Sequence, residues 1–434
     1  MSRVHFAAVG PLEALNDAAR AALFDRATSR DVGIRTRTAA VVERVRTEGD
    51  AALRAYAREF DGVTLETLEV PRARWRAALD ALDPALRRAL ERSAANIRAV
   101  HEAFRPVASE VVTADGVRIG RRPDPLGRVG VYAPGGRATY PSSLLMGAVP
   151  ARVAGVGEVI VCSPPDASGL PSAVLMAAAE IAGVDRMFTV GGAGAVAAMA
   201  YGTATIPAVD RIVGPGNAYV AEAKLQVAGV VAIDAPAGPS ELLVIADEWA
   251  DPVVIATEMI AQAEHDPLAS VVLVTWAPAI APLVLAELER LVPLTPRERI
   301  VRESFAAKGG VITVGTRDQA IAFGTLYAAE HALIATRDAS AVAAELRNAG
   351  TVFVGEASSV SFGDYMSGAN HVLPTGGMAR SYSGLSTLDF YRWTTWQVID
   401  RAAAGRLADD VGRFADAEGL PGHAAAARQW INAS

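Results

Sequence analysis

Four polar clusters in this chain pair a histidine with a carboxylate or an amide. Six histidines occur among its 434 residues, and four of them lie in these clusters. The clusters are Gln262, His265 and Asp266; Glu330 and His331; Asp364, Asn370 and His371; and Glu418 and His423. Imidazole beside carboxylate or amide groups forms metal sites and general acid/base centres. A single histidine is more often structural, but four such clusters indicate an active site.

The composition excludes several classes of function. With 51% hydrophobic and 21% charged residues and a formal net charge of −7, the chain is expected to be globular and to bind no nucleic acid. Its start does not look like a signal peptide, and its longest apolar stretch is interrupted by prolines, so a cytoplasmic protein without a membrane span is expected. Cys162, the only cysteine, lies in a strand-like run, which excludes a disulfide framework.

Lysine is nearly absent from the chain, because arginine outnumbers it 39 to 2. Lys224 and Lys308 therefore stand out, since a compact ammonium can fit where a guanidinium cannot. The plainer interpretation, which we take as the expectation, is that both side chains lie on a solvated surface.

Hydrophobic periodicity divides the chain into regions of different secondary structure. Helical spacing dominates the N-terminal region, whereas short β-branched runs followed by turns and helix-like segments dominate the middle. The predicted strands are 128–132, 158–162, 186–190 and 211–213 in a first series, and 242–246, 270–275, 310–314 and 351–354 in a second. Two such series predict an α/β fold with two Rossmann-like parallel-sheet domains that carry helices on both faces.

The predicted domain organisation has four parts. They are a helical N-terminal region at 1–126 that packs on the second α/β domain, a first Rossmann-like domain at 127–238, a second at 239–384, and a helical C-terminal segment at 385–434. The last segment is too small to fold alone, so it must dock, and a second subunit is one candidate surface.

Three glycine-rich turns, at 132–136, 190–197 and 214–217, could approach a nucleotide. In the second turn, Gly192 to Ala197 matches the G-x-G-x-x-A fingerprint between a strand and a helix, where backbone N–H groups receive a pyrophosphate. Glycine at such a turn also serves backbone geometry alone. Asp210 has a plausible spacing for the acid that completes the fingerprint, but it is expected to start a strand rather than end one.

Longer motifs carry a resemblance to a known family. In chain order they are Ile233-Asp234-Ala235-Pro236-Ala237-Gly238-Pro239-Ser240-Glu241, Gln262-Ala263-Glu264-His265-Asp266, Glu330-His331, Gly363-Asp364-Tyr365, Asn370-His371-Val372-Leu373-Pro374-Thr375 and Glu418-Gly419-Leu420-Pro421-Gly422-His423. In this order and spacing the chain resembles the histidinol dehydrogenases. The resemblance implies an aldehyde-dehydrogenase-like fold and a zinc enzyme that uses two NAD to oxidise L-histidinol to L-histidine, through an aldehyde-level intermediate, in the last steps of histidine biosynthesis.

The resemblance also implies roles for individual residues and a homodimer with a shared active site. Gln262, His265, Asp364 and His423 are the implied zinc ligands, the last contributed in the family by the partner subunit. Glu330 and His331 are the implied acid/base pair. The implied substrate contacts are Ser240, Gln262, His265, His331, Asp364, His371, Glu418 and His423, and the implied NAD contacts are Tyr132, Gly194 and Asn217.

The local sequence supports the metal site. Nitrogen and oxygen ligands without thiolate leave zinc Lewis-acidic. If 252–265 is a helix with Asp251 as its cap, Gln262 and His265 share one face. The alternative for Gln262 is a solvated helix position.

Glu330 and His331 can act together only if their side chains point to the same place, although the side chains of adjacent residues diverge in regular secondary structure. We therefore expect Glu330 and His331 on a bent loop, with His331 near its ordinary pKa and Glu330 partly buried so that it can activate water. The alternative is a pair that merely ends a helix, where an acid is unfavourable.

Two positions depart from the family pattern. Gly194 stands where the family often has a glutamine that contacts NAD, and Val360 stands where many members have a glutamate near the substrate. One alternative function is a related dehydrogenase of another primary alcohol, such as a sulfopropanediol, although Glu418 favours a cationic or hydrogen-bond-donating substrate over an anionic one. An alternative of another class is an inactive metal-binding or assembly protein.

Overall fold

The computed structural model describes residues 3–26, 31–135 and 139–431. Gly136, the last residue of the first glycine-rich turn, lies outside the described residues. The strands are β1 Ala8–Pro11, β2 Ser109–Val112, β3 Arg118–Pro125, β4 Arg128–Tyr132, β5 Glu158–Ser163, β6 Arg186–Thr189, β7 Arg211–Val213, β8 Ala232–Ile233, β9 Glu241–Ala246, β10 Ser270–Thr275, β11 Gly310–Thr313, β12 His331–Ala335, β13 Thr351–Val354 and β14 Tyr391–Val398.

Helices occupy most of the remaining described chain. They are α1 Asp17–Phe24, α2 Val32–Glu48, α3 Asp50–Tyr56, α4 Arg72–Asp80, α5 Pro84–Ala103, α6 Pro141–Ala154, α7 Ala173–Ala182, α8 Gly192–Tyr201, α9 Ala218–Val227, α10 Pro252–Ala263, α11 Ile280–Leu291, α12 Glu298–Lys308, α13 Arg317–Tyr327, α14 Ala339–Glu345, α15 Val360–Tyr365, α16 Arg401–Ala417 and α17 Pro421–Arg428. A π-helical turn, Ala57–Asp61, extends α3. Within the described ranges, none of the helices combines the length and the apolarity that a membrane span requires.

The first sheet is parallel, in the order β6-β5-β4-β7-β8. Its strands are apolar on both faces because helices cover both: α6 and α7 pack on one side, and α8 and α9 on the other. The predicted strands of the first series are confirmed to within a residue or two, and β8 was not predicted.

The second sheet is also parallel, in the order β1-β11-β10-β9-β12-β13. All four strands predicted for the second series are present, so the prediction of two Rossmann-like parallel sheets is confirmed. Strand β12, which lies between β9 and β13 and begins at His331, was not predicted.

A third, antiparallel sheet was not predicted at all. It has the order β14-β3-β2, and it joins two regions that were both expected to be helical. In β14 the side chains of Trp393 and Trp396 are separated by polar residues, and Gly120 of β3 lies opposite Trp396. A Cβ at Gly120 would lie 2.1 Å from the indole ring, so this pairing requires glycine.

The N-terminal region is divided between the two parallel sheets. Only its first part packs as expected on the second sheet, through Ala8 of β1 and Leu23 of α1. The helices α2 to α5 instead pack on the helices of the first sheet, where Val45 joins the α8 side and Trp75 the α7 side. The expectation that 1–126 packs on the second domain is therefore wrong for these helices, because their apolar faces complement α7 and α8.

The C-terminal helices α16 and α17 form a hairpin, and they pack chiefly on each other. Several large apolar side chains of the hairpin are exposed, among them Phe414 at 72%. The helical prediction is confirmed for this part of the C-terminal segment and is wrong for β14.

Candidate active site

The candidate site residues of the second sheet lie at the amino ends of its strands. Glu241 is the first residue of β9 and His331 the first residue of β12, and these two strands are neighbours. His265 follows α10 and leads toward the start of β10. Ligand sites of open α/β sheets usually lie at the carboxyl ends of the strands. This cluster therefore lies at the opposite edge of its sheet.

Glu330 and His331 converge as predicted, although not in the predicted conformation. Helix α13 ends at Tyr327, and Ala328 then adopts a left-handed conformation with φ 52°, so the pair does not end a helix. Glu330 lies in a bend, whereas His331 already belongs to β12. Their side chains are nevertheless close, with 3.5 Å between His331 Nδ1 and Glu330 Oε2, and both residues are buried.

The orientation of the His331 ring is fixed by a backbone contact. Its Nδ1 lies 3.0 Å from the carbonyl oxygen of Glu241, and since a carbonyl can only accept, Nδ1 carries the proton and donates it. In the neutral ring, Nε2 is then the free basic nitrogen. Nε2 is buried, has no hydrogen-bond partner among the described residues, and lies 3.7 Å from Asp364 Oδ1.

Electrostatics favour a protonated His331. Burial opposes the charged ring, but the carboxylates of Glu330 and Asp364 outweigh it and raise the pKa of His331 to about 9. This differs from the expectation of a histidine near its ordinary pKa. Consequently, His331 can act as a base near neutral pH only when a bound ligand offsets one of these two negative charges.

Glu241 holds the acid/base pair in place, a role that was not predicted from the sequence. Its N–H donates to Glu330 Oε2 at 2.7 Å, and its own carboxylate accepts the N–H of Glu330 at 3.3 Å. Its carbonyl binds His331, as described above. The sequence did contain a signal for this role. Glu241 is the last residue of the longest family motif, and a carboxylate is unusual in a strand that is buried on both faces.

A buried cation and a loop amide engage the Glu241 carboxylate from the other side. Arg26 Nη1 lies 2.5 Å from Glu241 Oε2, and the N–H of Gly376 donates to Oε1 at 2.7 Å. Arg26 also donates to the carbonyl of Tyr327, at the end of α13. Burial raises the pKa of Glu241 to about 7, against the attraction of Arg26. The N-terminal region thus contributes Arg26 to the support of the candidate catalytic pair.

The three metal ligands predicted within one subunit lie at the C-terminal end of α10, just after it, and on α15. The predicted cap of α10 is confirmed, since Asp251 accepts the N–H of Val253 at 2.8 Å. Gln262 lies in the last turn of α10 and is buried, with an amide nitrogen that has no partner in the described part of the chain, so the solvated alternative is wrong. His265 is exposed, with Nδ1 3.4 Å from Ser240 Oγ, and Asp364 lies on α15 near His331.

A glutamate on α10 connects these two elements. Glu258, one turn before Gln262, is buried and accepts the N–H of Val360 at 3.2 Å, at the start of α15. Val360 itself is buried, so its apolar side chain fits its environment although the family often has glutamate there. Among the described residues, no group of three or more His, Cys, Asp or Glu side chains has metal-binding geometry.

His371 is tied to both halves of the molecule. Its Nδ1 donates to the carbonyl of Asp364 at 2.9 Å, and its Nε2 accepts the hydroxyl of Ser143 at 3.1 Å. Ser143 lies in the first turn of α6, and Asn370 donates to the carbonyl of Met146 on the same helix. Burial lowers the pKa of His371, which keeps the ring neutral. These bonds place α6 of the first sheet against the cluster of the second.

The last two predicted residues lie apart from this cluster. Glu418 is the C-cap residue of α16 and His423 lies in the first turn of α17, and both are exposed. No hydrogen bond or ion pair between described residues joins either of them to the others. His423 instead lines an open, largely apolar groove of about 740 Å³ between the hairpin helices, together with Trp430.

The three predicted NAD contacts line one cavity at the carboxyl edge of the first sheet. Tyr132 ends β4, Gly194 lies in the first turn of α8, and Asn217 caps α9 by accepting two backbone N–H groups. The cavity encloses about 450 Å³. The Tyr132 hydroxyl accepts the N–H of Gly192, at the start of α8, at 3.1 Å, and burial raises the pKa of Tyr132 to about 12.

The third glycine-rich turn is held by a buried ion pair. Lys224 forms an ion pair with Asp234 and donates to the carbonyl of Gly214 at 3.2 Å, while Asp234 accepts the N–H of Gly214 at 2.8 Å. Gly214 has φ +114°, and a Cβ there would lie 2.2 Å from the carbonyl oxygen of Tyr132. The expectation of a solvated Lys224 is therefore wrong: the ammonium fixes a turn beside the cavity.

The comparison with protein families agrees with this geometry. The family model for histidinol dehydrogenase matches residues 24–430. The chain belongs to the histidinol dehydrogenase family. Its members are oxidoreductases, and the resemblance described from the motifs is confirmed.

Individual relatives agree over nearly the full length. The histidinol dehydrogenase of Natronomonas pharaonis is 49% identical over 94% of this chain and 96% of its own, and that of Bordetella parapertussis is 45% identical over 95% and 98%. The crystal structure of histidinol dehydrogenase from Elizabethkingia anophelis is 33% identical, with a TM-score of 0.93 over 98% of both chains. The arrangement of elements described above is therefore shared with a solved member of the family.

Proposed function

We propose that this chain oxidises L-histidinol to L-histidine in two successive hydride transfers to NAD, with zinc in the site, as the last steps of histidine biosynthesis in the cytoplasm. The observation that carries the proposal is the convergence of Glu330, His331 and Asp364 at the amino edge of the second sheet, beside the residues that link it to α6. Further support comes from the cavity at the carboxyl edge of the first sheet, which we propose as the site of NAD, the hydride acceptor.

His331 is proposed as the base that removes the hydroxyl proton of the substrate. With Nδ1–H held by the Glu241 carbonyl, Nε2 is the nitrogen that accepts the proton. Asp364 lies 3.7 Å from Nε2 and stabilises the imidazolium that forms. Because the Asp364 carboxylate also favours protonation beforehand, a cation bound to Asp364 would return His331 to its basic form.

Glu330 is proposed as the group that activates water for the second oxidation. Its Oε2 is held by the Glu241 N–H at 2.7 Å, so the carboxylate keeps one orientation throughout. The surrounding burial excludes bulk water, which strengthens a carboxylate as a base. Water added to the aldehyde gives the diol from which the second hydride leaves.

The donor set fits zinc. Gln262 has a buried amide whose nitrogen has no partner among the described residues, and a flip of this amide would present its oxygen there. It lies near the end of the helix that leads to His265. Asp364 supplies a carboxylate oxygen, and His423 would supply the fourth ligand. Bound zinc would act as a Lewis acid that favours the alkoxide form of the substrate.

His423 and Glu418 are proposed to act in the active site of a partner subunit, with Ser240 and His371 as further substrate contacts. Support comes from the exposure of both residues, from the exposed apolar side chains of their hairpin, and from the absence of bonds to the cluster among the described residues of the same chain. A homodimer would cover this surface and complete the ligand set.

A mixing experiment tests this exchange. His423→Ala and Asp364→Asn homodimers should each be inactive. After subunit exchange, a mixed dimer would contain one site with both an intact Asp364 and an intact His423, so activity should return to about a quarter of the wild-type value for statistical mixing in a symmetric dimer. If the mixture stays inactive while mass measurement shows that mixed dimers formed, His423 does not act in trans.

The division of labour between the acid/base residues is tested with Glu330→Gln. Glutamine keeps the shape and can still accept the Glu241 N–H, but it cannot activate water. Oxidation of the aldehyde should fall about 10²- to 10³-fold, and oxidation of the alcohol much less. Glu345→Gln, which removes a surface carboxylate paired with Arg317, should change neither rate. Equal losses in both half-reactions for Glu330→Gln would contradict the assignment.

A further inference from the structure

Glu258 is a buried carboxylate that none of the proposed catalytic steps uses. It lies inside α10 and is 7% exposed. Its one hydrogen bond to a described residue is accepted by Oε2 from the N–H of Val360, at 3.2 Å. No lysine, arginine or histidine in the described ranges forms an ion pair with it. Because buried carboxylates are normally paired with a cation or lie at a metal ion, Glu258 lacks a positive partner within the described chain.

The position of Glu258 relates it to two of the proposed zinc ligands. Gln262 lies four residues after Glu258 on α10, and Asp364 lies four residues after Val360 on α15. The hydrogen bond between Glu258 and Val360 therefore joins the two helices that carry these ligands, one turn before each ligand. Side chains four positions apart lie on the same face of a helix and can form a hydrogen bond. Glu258 and Gln262 thus share one face of α10.

The amide of Gln262 lacks a partner of the complementary kind. Gln262 is 2% exposed, and its buried Nε2 donates to none of the residues that the structure describes. A metal ion binds the oxygen of an amide and not its NH2 group, which is a donor. When the oxygen faces the metal, the NH2 group must find an acceptor elsewhere, since a buried donor without a partner is unfavourable. A carboxylate one turn earlier on the same face is such an acceptor.

We infer that Glu258 is a positioning residue of the zinc site: its carboxylate accepts an N–H of the Gln262 amide, which points the amide oxygen at the metal. The same carboxylate holds the start of α15, the helix that carries Asp364. Carboxylates orient metal-binding histidines in a comparable way, by accepting the N–H of the ring. The metal ion supplies the positive charge that Glu258 otherwise lacks. This inference rests on the proposed zinc site.

The test measures the affinity of the full-length protein for zinc, by competition with a chromophoric chelator. Glu258→Gln should weaken zinc binding about 10- to 100-fold, as removal of a carboxylate that orients a metal ligand usually does. Glutamine offers one accepting oxygen, so it cannot serve Val360 and Gln262 through two separate oxygens. Glu356→Gln is the matched control. Glu356 also accepts a backbone N–H of α10's N-terminal end, that of Asp251, and its replacement should leave zinc affinity unchanged.

Urea titrations separate this role from a purely structural one. Without zinc, Glu258→Gln should unfold at the same or a higher urea concentration than the wild type, because a neutral amide costs less to bury than a carboxylate without a cation. With zinc, it should unfold at a lower concentration than the wild type, because stabilisation by a ligand follows its affinity. If Glu258 only caps α15, the variant loses the same stability in both states, and the inference is overturned.

A double variant tests whether Glu258 acts through Gln262. Gln262→Ala removes the amide that Glu258 orients, so the addition of Glu258→Gln should weaken zinc binding by less than about threefold more. If Glu258→Gln has the same effect with and without the Gln262 amide, the positioning role is wrong.

The outcomes also separate this inference from the proposed zinc site. If Gln262→Ala and Asp364→Asn both leave zinc affinity at the wild-type value, zinc does not bind between these helices, and the proposed site fails. If both variants weaken zinc binding but Glu258→Gln does not, the zinc site stands and only the inference is overturned.

Discussion

Replacement of Lys224 should destabilise the protein far more than replacement of the only other lysine. The side chains of Lys224 and Asp234 are each 4% exposed. Lys224→Met would leave the Asp234 carboxylate buried with the Gly214 N–H as its remaining bond at 2.8 Å. A buried charge that loses its partner costs about 3–5 kcal/mol, so the free energy of unfolding should fall by that amount.

The double variant Lys224→Met/Asp234→Asn removes both charges. It should recover most of the loss, ending within about 2 kcal/mol of the wild type, because a neutral amide can still accept the Gly214 N–H. Lys224→Arg keeps the charge but overfills the site, at a cost of about 1–3 kcal/mol.

Urea titrations followed by tryptophan fluorescence measure these differences. Lys308→Met is the matched control, and it should change the free energy of unfolding by less than about 0.5 kcal/mol, since its ammonium binds a surface carbonyl, that of Asp25. The reasoning fails if Lys224→Met unfolds at the same urea concentration as the wild type, or if the double variant is as unstable as the single one.

Three further predictions concern the cavity, a buried histidine and the support of the acid/base pair. Asn217→Asp keeps both cap bonds to the N–H groups of Tyr219 and Val220 but adds a negative charge beside the proposed pyrophosphate position. KM for NAD should therefore rise about fivefold at low salt and less at high salt, whereas the uncharged cap Asn217→Ser should show no such salt dependence. An unchanged KM for Asn217→Asp would contradict the site. Burial lowers the pKa of His101 to about 4, below its unfolded value of 6.5, so the unfolded chain binds the extra proton and stability should fall by up to about 3 kcal/mol as pH drops from 6.5 to 4. His101→Gln should lose this part of the pH dependence in urea titrations, and a wild-type profile in that variant would refute it. Glu241→Gln leaves Arg26 buried without its counter-charge and should lower the free energy of unfolding by about 3 kcal/mol. The double variant Arg26→Met/Glu241→Gln should recover most of this loss in the same titrations. If the double variant instead lost the sum of the two single losses, a stabilising Arg26–Glu241 ion pair would be excluded.

The parallel sheets could be predicted because their strands are apolar on both faces and are punctuated by glycine turns. The antiparallel sheet could not, because β3 contains Arg121, Arg122 and Pro123, whose charge and imino ring do not suggest a strand. Its stability depends on pairing with β14, which lies far away along the chain. Periodicity reports local burial, so a strand that depends on a distant partner has no local signal.

The candidate site was predictable as a set of residues but not as an arrangement. The motifs named the residues, and the structure brings Ser240, His265, His331, Asp364 and His371 together. Adjacent positions gave no indication that His331 would begin a central strand, because its position is determined by pairing with β9. Glu241, Arg26 and Ser143 were missed, since their roles arise from contacts between elements that are distant in the chain.

Lys224 shows the same limit for the cavity. The scarcity of lysine drew attention to Lys224, but burial of its ammonium follows only from its ion pair with Asp234, which the fold brings beside α9.

The most direct test of the proposed function is the stoichiometry of coenzyme reduction. The purified protein, loaded with zinc, is given a limiting amount of L-histidinol and excess NAD, and NADH and products are counted at completion. Two NADH per histidinol consumed, with L-histidine as the product, is the predicted result, since each oxidation step transfers one hydride. One NADH with an accumulating aldehyde, or no NADH with histidinol while another primary alcohol reacts, would contradict it.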